Sequence, residues 1–342
     1  MTSQPGFFDV QDRYAALSRA GDPLESLRTL VPWGSFRKHL KRTLQRKENG
    51  LGGRPPFDDV LMFRVLVLQA LYNLSDDQTE YQIRDRLSFM RFLGLDMDGR
   101  VPDAKMIWLF RERLAQAGAV EKLFARFDRH LEEQGLMASG GQIIDASIIP
   151  VLRQRNSHKD NKKIKAGETP EKWKKEPAKL RQKDVDARWV VKNEQYHYGY
   201  KNHVNTDKTN KLIRRYHVTD ASVHDSRAFD EVFDSKNTAK DAWADAAYRS
   251  REREEELKKR GIRSHIHHKG FNGSPLTGAK QATNKRRSKI LARVERIFGR
   301  QAQMGGKLLR STGIVRARAN IGLKNLAYNL QRFVFLTKPA PA

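Results

Sequence analysis

Cysteine is absent from the 342-residue chain. That excludes disulfides, thiolate-ligated zinc and thiol catalysis, and it fits a reducing compartment. Long apolar runs are missing too: no span approaches the roughly 18 uninterrupted apolar residues that mark a membrane helix. The opening "MTSQPGFFDVQDRYAAL" lacks a basic start followed by an apolar core, so no signal peptide is expected. Acid is the third scarcity, with 40 Asp plus Glu against 66 Lys plus Arg and a net charge of +26. After Leu257 the only carboxylate side chain is Glu295. Such an excess implies a polyanionic partner, because Lys and Arg that neutralise phosphates release condensed counterions, whereas a membrane surface would need an amphipathic or lipidated anchor. The expectation is a soluble, cytoplasmic, nucleoid-associated protein that binds DNA and no membrane.

What is present can fold. Hydrophobic residues make up 38% of the chain, with 16 Phe and 5 Trp, and the length suggests two or three domains of roughly 100–200 residues each. Residues 1–137 read as an all-helical domain for DNA binding and assembly. "PFDDVLMFRVLVLQALYNL" opens on Pro56 with Asp58 and Asp59 in its first turn, and Leu61, Val65, Leu68, Leu71 and Leu74 follow at helical spacing. Ser75 and Gln78 form a capping box, and Asp103 caps a helix that ends near Gly118. That last helix, "DAKMIWLFRERLAQ", is a candidate for reading DNA, although a core helix is the commoner use of such a pattern.

Residues 138–342 change texture. Gly140 and Gly141 break the helical pattern, and "QIIDASIIP" is a short β-branched run suited to a buried strand. Strands are expected again in "YHYGYKNHVN", "KLIRRYHVTD", "KDAWADAAY" and "IRSHIHH", with helices at "SREREEELKKRG", Ile290–Arg300 and Ile314–Leu336. Alternating strands and helices predict a mixed α/β sheet flanked by helices. The Lys-rich stretch at about 152–190 reads as a mobile basic insertion between the first two strands, and "HKGFNGSPLTGAKQATNKRRS" as a basic loop.

Asp145 sits mid-strand between isoleucines, where a charge is costly to bury unless paired or bound to a metal. Two readings are open at this point: a strand-end Asp that caps a turn, or a functional acid. Asp245 repeats the pattern in "AWADAAY", and two such acids at strand ends of one sheet can converge. Glu295, with Val294, Ile297 and Phe298 beside it, would ride a helix that packs on the sheet; an ordinary ion pair with Arg293 or Arg296 is the alternative. Three oxygen ligands without cysteine suit Mg²⁺ or Mn²⁺ rather than zinc, and a phosphodiester-cutting site would hold two such ions.

Taken in order, "IIDAS", "GYKNHV", "VTDASVHDSRAF", "AWADAAYRSRE" and "ARVERIFG" resemble bacterial DDE transposases of the fifth insertion-sequence family. "GGRPPFDDVLMFRVLVLQALYNLSDDQTEYQIRDRLSFMRFLGL" resembles their helical N-terminal domain, so the likeness spans residues from about 50 to 337. The resemblance implies a ribonuclease-H-like catalytic domain whose acids are Asp145, Asp245 and Glu295, each both a catalytic group and a ligand of Mg²⁺, with Mn²⁺ as substitute and two ions per site. It implies binding to terminal inverted repeats, 3′-end cleavage and strand transfer into target DNA by a homodimer or larger assembly. His224 and Asp225 match a paired His-Asp of the family, with a helix-start role equally open; Asp220 and Asp225 follow a strand, which leaves Asp245 as the preferred second acid. One departure concerns phosphate contacts: relatives with a Tyr-Arg-Glu-Lys signature carry Arg and Lys where this chain has Leu291 and Ala302, so Lys289 or Arg300 would substitute.

The expected DNA-contact set is Lys201, Arg249, Lys285, Arg286, Arg287, Lys289, Arg293, Arg300, Arg316 and Arg318, with Lys324 on the same outer face of the last helix. Trp173 and Trp189, in or beside the insertion, are further candidates, while Tyr198 and Tyr200 read as sheet core before base-stacking groups. A DNA-binding regulator without catalysis, or a nuclease that cuts without joining, would share the charge or the acids.

Overall fold

The computed structural model describes residues 9–44, 55–152, 156–192, 194–270 and 273–338. Residues 50–54 of the family-like N-terminal stretch, 153–155 of the insertion and 271–272 of the basic loop lie outside the described residues. Contacts divide the chain into residues 1–126 with 330–342, and residues 127–329. From sequence, a single boundary is expected after residue 137.

The first unit is helical: α1 (Asp9–Arg19), α2 (Pro23–Leu30), α3 (Arg37–Leu44), α4 (Asp59–Tyr72), α5 (Asp76–Asp85), α6 (Leu87–Leu93), α7 (Ala104–Gln116) and most of α8 (Ala119–Glu133). Helix α4 buries residues all round its circumference, which makes it the centre of this unit. Asp58 is its N-cap rather than a first-turn residue, accepting from the Val60 and Leu61 amides at 3.0 and 3.1 Å. The Ser75–Gln78 capping box forms as expected, and Asp103 caps α7 through the Met106 amide at 2.7 Å. Around α4 the rings of Phe36 and Phe63 meet at 5.0 Å, and Trp33 and Phe92 meet edge-on at 5.5 Å. Helix α7 leaves Trp108 and Leu109 exposed and buries Ile107, Phe110 and Leu114.

In the second unit the described strands form one six-stranded sheet: β1 (Gln142–Pro150), β2 (Arg188–Lys192), β3 (Gln195–Asp207), β4 (Ile213–Asp220), β5 (Asp241–Trp243) and β6 (Arg263–Ser264). Strand β3 pairs antiparallel with β1, β2 and β4; β5 joins β1 in parallel, and β6 joins β5 in parallel. Antiparallel strands followed by parallel ones, with helices on both faces, are the mixed α/β architecture of a ribonuclease-H-like sheet. Ile144 packs on one face with Phe229, Val232, Tyr248 and Leu257, drawn from α12 (Phe229–Val232), α13 (Arg251–Lys259) and the turn before it. Ile149 packs on the other face with Tyr198, Tyr200, Ala317 and Ile321, so α15 (Ile314–Thr337) covers that side. Gly199 is required where β1 and β3 cross closely, since a Cβ there would lie 2.2 Å from the Ile149 carbonyl oxygen.

Two expectations from sequence are corrected. The basic insertion is not a bare loop: it forms α9 (His158–Lys165), α10 (Glu171–Lys174), α11 (Pro177–Arg181) and β2, with a capping box from Ser157 and Asp160. Trp173 is 1% exposed beneath the Lys183 ammonium, so it is core rather than a DNA-stacking ring. The basic loop after residue 273 is largely helix, because α14 (Gly278–Gln301) starts at a Thr277 cap well before Ile290. Its Ala, Lys, Gln and Arg residues are good helix formers and no Pro interrupts them.

Asp184 ties the insertion to the sheet. Its buried carboxylate accepts from the Tyr200 hydroxyl at 2.7 Å, the Ala187 amide at 3.0 Å and the Gly313 amide at 3.1 Å. Asp184→Ala strands these donors, and we expect a loss of roughly 2–4 kcal/mol, or about 5–15 °C in Tm by calorimetry, with Asp184→Asn milder. An unchanged Tm for Asp184→Ala would contradict the tie.

Candidate active site

Pairing in the sheet brings the first two acids together. The parallel register of β1 and β5 sets Gln142 beside Ala242 and Ile143 beside Trp243, and two further residues along each chain stand Asp145 and Asp245. β5 ends just before Asp245, whose carboxylate accepts the Ala247 amide at 2.8 Å and opens a short 3₁₀ turn. Asp145 is half-buried and, among the described residues, accepts only the adjacent Ala146 amide, at 2.7 Å. Neither acid makes an ion pair among the described residues. Burial, reinforced by the Asp245 charge against the pull of the Ala146 amide, pushes Asp145 up to about 7.

Asp225, 3₁₀-helical after β4, adds to that repulsion but carries its own counterion, the Lys201 ammonium at 2.8 Å. His224 is exposed and caps the same turn, its Nδ1 3.3 Å from the Ser226 amide, which is the helix-start role. Tyr248 was not anticipated as part of the site. Its hydroxyl is buried without a hydrogen-bond partner among the described residues, and burial together with the charges of Asp145, Asp225 and Asp245 pushes it well up. The signal was its place three residues after Asp245, masked by an ordinary core role.

Alternation along β1 puts Asp145 on the face of Ser147 and Ile149. Helix α14 packs against β1: Arg293 donates to the Lys208 carbonyl at 2.9 Å near the start of the strand, and Phe298 and Gln301 border Ser147 and Ile149. Glu295 lies between these points, exposed, with no hydrogen bond or ion pair among the described residues. The expected alternative, an ion pair with Arg293 or Arg296, is therefore not formed. Among the described residues no group of three or more His, Cys, Asp or Glu is drawn together as a metal cage. Two adjacent hard-oxygen acids, one desolvated and neither neutralised, beside an unpartnered buried hydroxyl, do fit a hydrated divalent cation.

Residues 138–330, more than half of the chain, match the transposase DDE domain family, and residues 11–113 match a transposase domain, DUF772. The chain belongs to the transposase DDE family. A cryo-EM structure of a piggyBac transposase synaptic complex with hairpin DNA is similar at 13% identity over 92% of this chain and 75% of that chain, with a TM-score of 0.44. As a DDE transposase the protein is a DNA-acting polynucleotidyl transferase or endonuclease of a family that uses divalent metal ions. No described helix is long and apolar enough to cross a membrane.

The expected DNA-contact residues of this DDE transposase separate into two groups. Lys201 is buried and spent on Asp225 and the Val223 carbonyl, so it braces an acid instead of gripping phosphate. Arg249 and Arg287 both donate to the Ile266 carbonyl, at 2.8 and 2.6 Å, and Arg293 is spent on Lys208. Arg316 is half-buried. Lys285, Arg286, Lys289, Arg300 and Arg318 are exposed, and Lys289 lines a basic pocket of about 450 Å³ with Lys211, Arg293 and Arg296. Trp189 is exposed, whereas Tyr198 and Tyr200 are core, and Lys324 is half-buried in a cleft rather than on an outer face.

Asp145 holds its proton more tightly folded than unfolded, so stability of the metal-free transposase falls as pH rises from the ordinary carboxylate range through about 7. Asp145→Asn removes that loss. In EDTA we expect the variant to melt a few degrees above wild type at alkaline pH and at the same temperature near about pH 4. A wild-type Tm equal to the variant's at both ends contradicts the desolvated acid.

Proposed function

We propose that this transposase binds the terminal inverted repeats of its own insertion sequence, cleaves at the 3′ ends and joins them to target DNA. The observation that carries the reading is that the parallel pairing of β1 and β5 brings Asp145 and Asp245, just past the end of β5, together without an ion pair among the described residues, in a chain of net charge +26. Mg²⁺, or Mn²⁺ in its place, two ions per site, would be held by Asp145, Asp245 and Glu295, and supplies activation of the attacking oxygen and stabilisation of the leaving oxygen. Asp145 and Asp245 are fixed by strand pairing and a turn cap, so their carboxylates are preorganised before DNA arrives. Glu295, on the helix over the Asp145 face, completes the acid set when DNA and cation are present. Water first attacks the phosphodiester at the element end and frees a 3′-hydroxyl; that hydroxyl then attacks the target strand in line, with no covalent enzyme intermediate.

The helical unit would engage the repeats. The exposed cations Lys285, Arg286, Lys289, Arg300 and Arg318 would take backbone phosphates. Two ends joined to one target require a homodimer or larger assembly on DNA, and such a protein would reside in the cytoplasm at the nucleoid.

The test is incubation of purified protein with labelled DNA carrying the element's own ends and a supercoiled plasmid, in Mg²⁺, Mn²⁺ or EDTA. We expect metal-dependent nicking at the ends followed by joined product. Asp145→Asn, Asp245→Asn and Glu295→Gln should each lose roughly 10³-fold or more in cleavage while binding end DNA nearly as wild type. Cleavage without joining would point to a nuclease, and binding without cleavage in either metal to a regulator.

A further inference from the structure

Beyond Asp145, β1 borders a cleft of about 180 Å³. Ser147, one step beyond Asp145 on the same strand face, forms part of its wall, and Asn202, Gln301, Lys324 and Asn325 supply polar groups. The cleft exists because α14 breaks at Ala302–Gly306, where Met304 (φ −78, ψ 17) and Gly305 (φ 73) leave the helical backbone. That break frees the Met304 carbonyl, and the Lys324 ammonium donates to it at 2.6 Å. One of three ammonium protons is thereby used and the side chain is held at the cleft.

The charged side chains that line the cleft, Lys307 and Lys324, are both cations. Among the described residues Lys324 makes no ion pair, and no carboxylate lines the space. Burial, with the Arg310 charge in the same direction, pushes Lys324 down to about 8, and Lys307 adds a further cation to the lining. The amide oxygens of Asn202 and Asn325 are engaged internally: these two side chains bond each other at 2.9 and 3.1 Å, and Gln301 donates to Asn325 Oδ1 at 2.6 Å. Further amide N–H donors remain. A desolvated cation with cationic neighbours, N–H donors and no acid suits an anion, and one tetrahedral phosphate matches the size.

We propose that this cleft binds one backbone phosphate of a DNA strand lying across Asp145, with Lys324 as the phosphate contact. The proposal rests on the reading of Asp145 as the place where DNA is cut. Lys324 reaches the cleft from α15 beside Ala302, and the same wall carries Ser147, two residues beyond Asp145 along β1. Tying Met304 alone would need only a neutral donor.

The test measures binding of the full-length protein to a duplex carrying the element's own end, in EDTA, as a function of salt. Lys324→Gln keeps a donor for Met304 and Lys324→Met removes it; both should lower the slope of log K against log salt by about 0.9, the value for one phosphate. Lys324→Arg should keep the wild-type slope, as should Lys258→Gln, an exposed lysine on α13. Unchanged slopes for both neutral Lys324 variants, or an equal fall for Lys258→Gln, overturn the proposal. Should the variants misfold, acylation of wild-type Lys324 read by mass spectrometry decides: protection by DNA but not by inorganic phosphate at the same phosphate concentration is expected, and no protection by DNA overturns it. Protection by phosphate alone overturns the DNA assignment. A lowered slope with no cleavage in any metal keeps the cleft and removes the catalytic reading; cleavage with an unchanged slope does the reverse.

Discussion

Asp145 on β1 and Asp245 just past the end of β5 are two carboxylates brought to one place by strand pairing, with burial weighing most on Asp145. The parallel pairing of β1 with β5 is the constraint: it sets Asp145 and Asp245 level with each other, and apolar residues on either side deny them bulk water. Ile144 and Tyr248 pack below the acids with α12 and α13, and Ile149 packs above with α15. Without those two cores the strands could splay and relax the repulsion. With them, Asp145 stays desolvated beside Asp245, and burial with the neighbouring charge pushes its pKa up to about 7.

The basic residues around this pair divide their roles by burial. Lys201 neutralises Asp225, so that of three neighbouring aspartates only two are left uncompensated. Arg249 and Arg287 converge on the Ile266 carbonyl and fix the segment that follows β6, while Arg293 fastens α14 beside the start of β1. These cations act through the scaffold. The exposed Lys285, Arg286, Lys289 and Arg318 make no ion pair among the described residues, and Lys324 stands between the two groups, anchored to Met304 at the wall of the cleft. A net charge of +26 is therefore partly structural.

Much of this was legible in the sequence, for local reasons. An acid inside a β-branched run is physically conspicuous, so Asp145 stands out without any fold, and Asp245 stands out more weakly as an acid that closes a small apolar strand. The capping residues Asp58, Ser75 and Asp103 announce helix starts within three or four residues of themselves. What escaped depends on partners distant in sequence. Lys201 reads as a surface cation until Asp225 folds back on it, Trp173 reads as exposed until the insertion closes over it, and the first half of α14 reads as loop because its faces are polar. Tyr248 and the Lys324 cleft require the sheet and the helix break to be in place.

The central claim is that Asp145 and Asp245 together hold a divalent cation. An anomalous difference map from a crystal of the protein soaked in Mn²⁺ tests it directly. The account predicts a manganese peak within about 2.0–2.2 Å of oxygens from both carboxylates, the range for a small octahedral divalent ion. Manganese bound elsewhere at saturation, with none shared by Asp145 and Asp245, would contradict it.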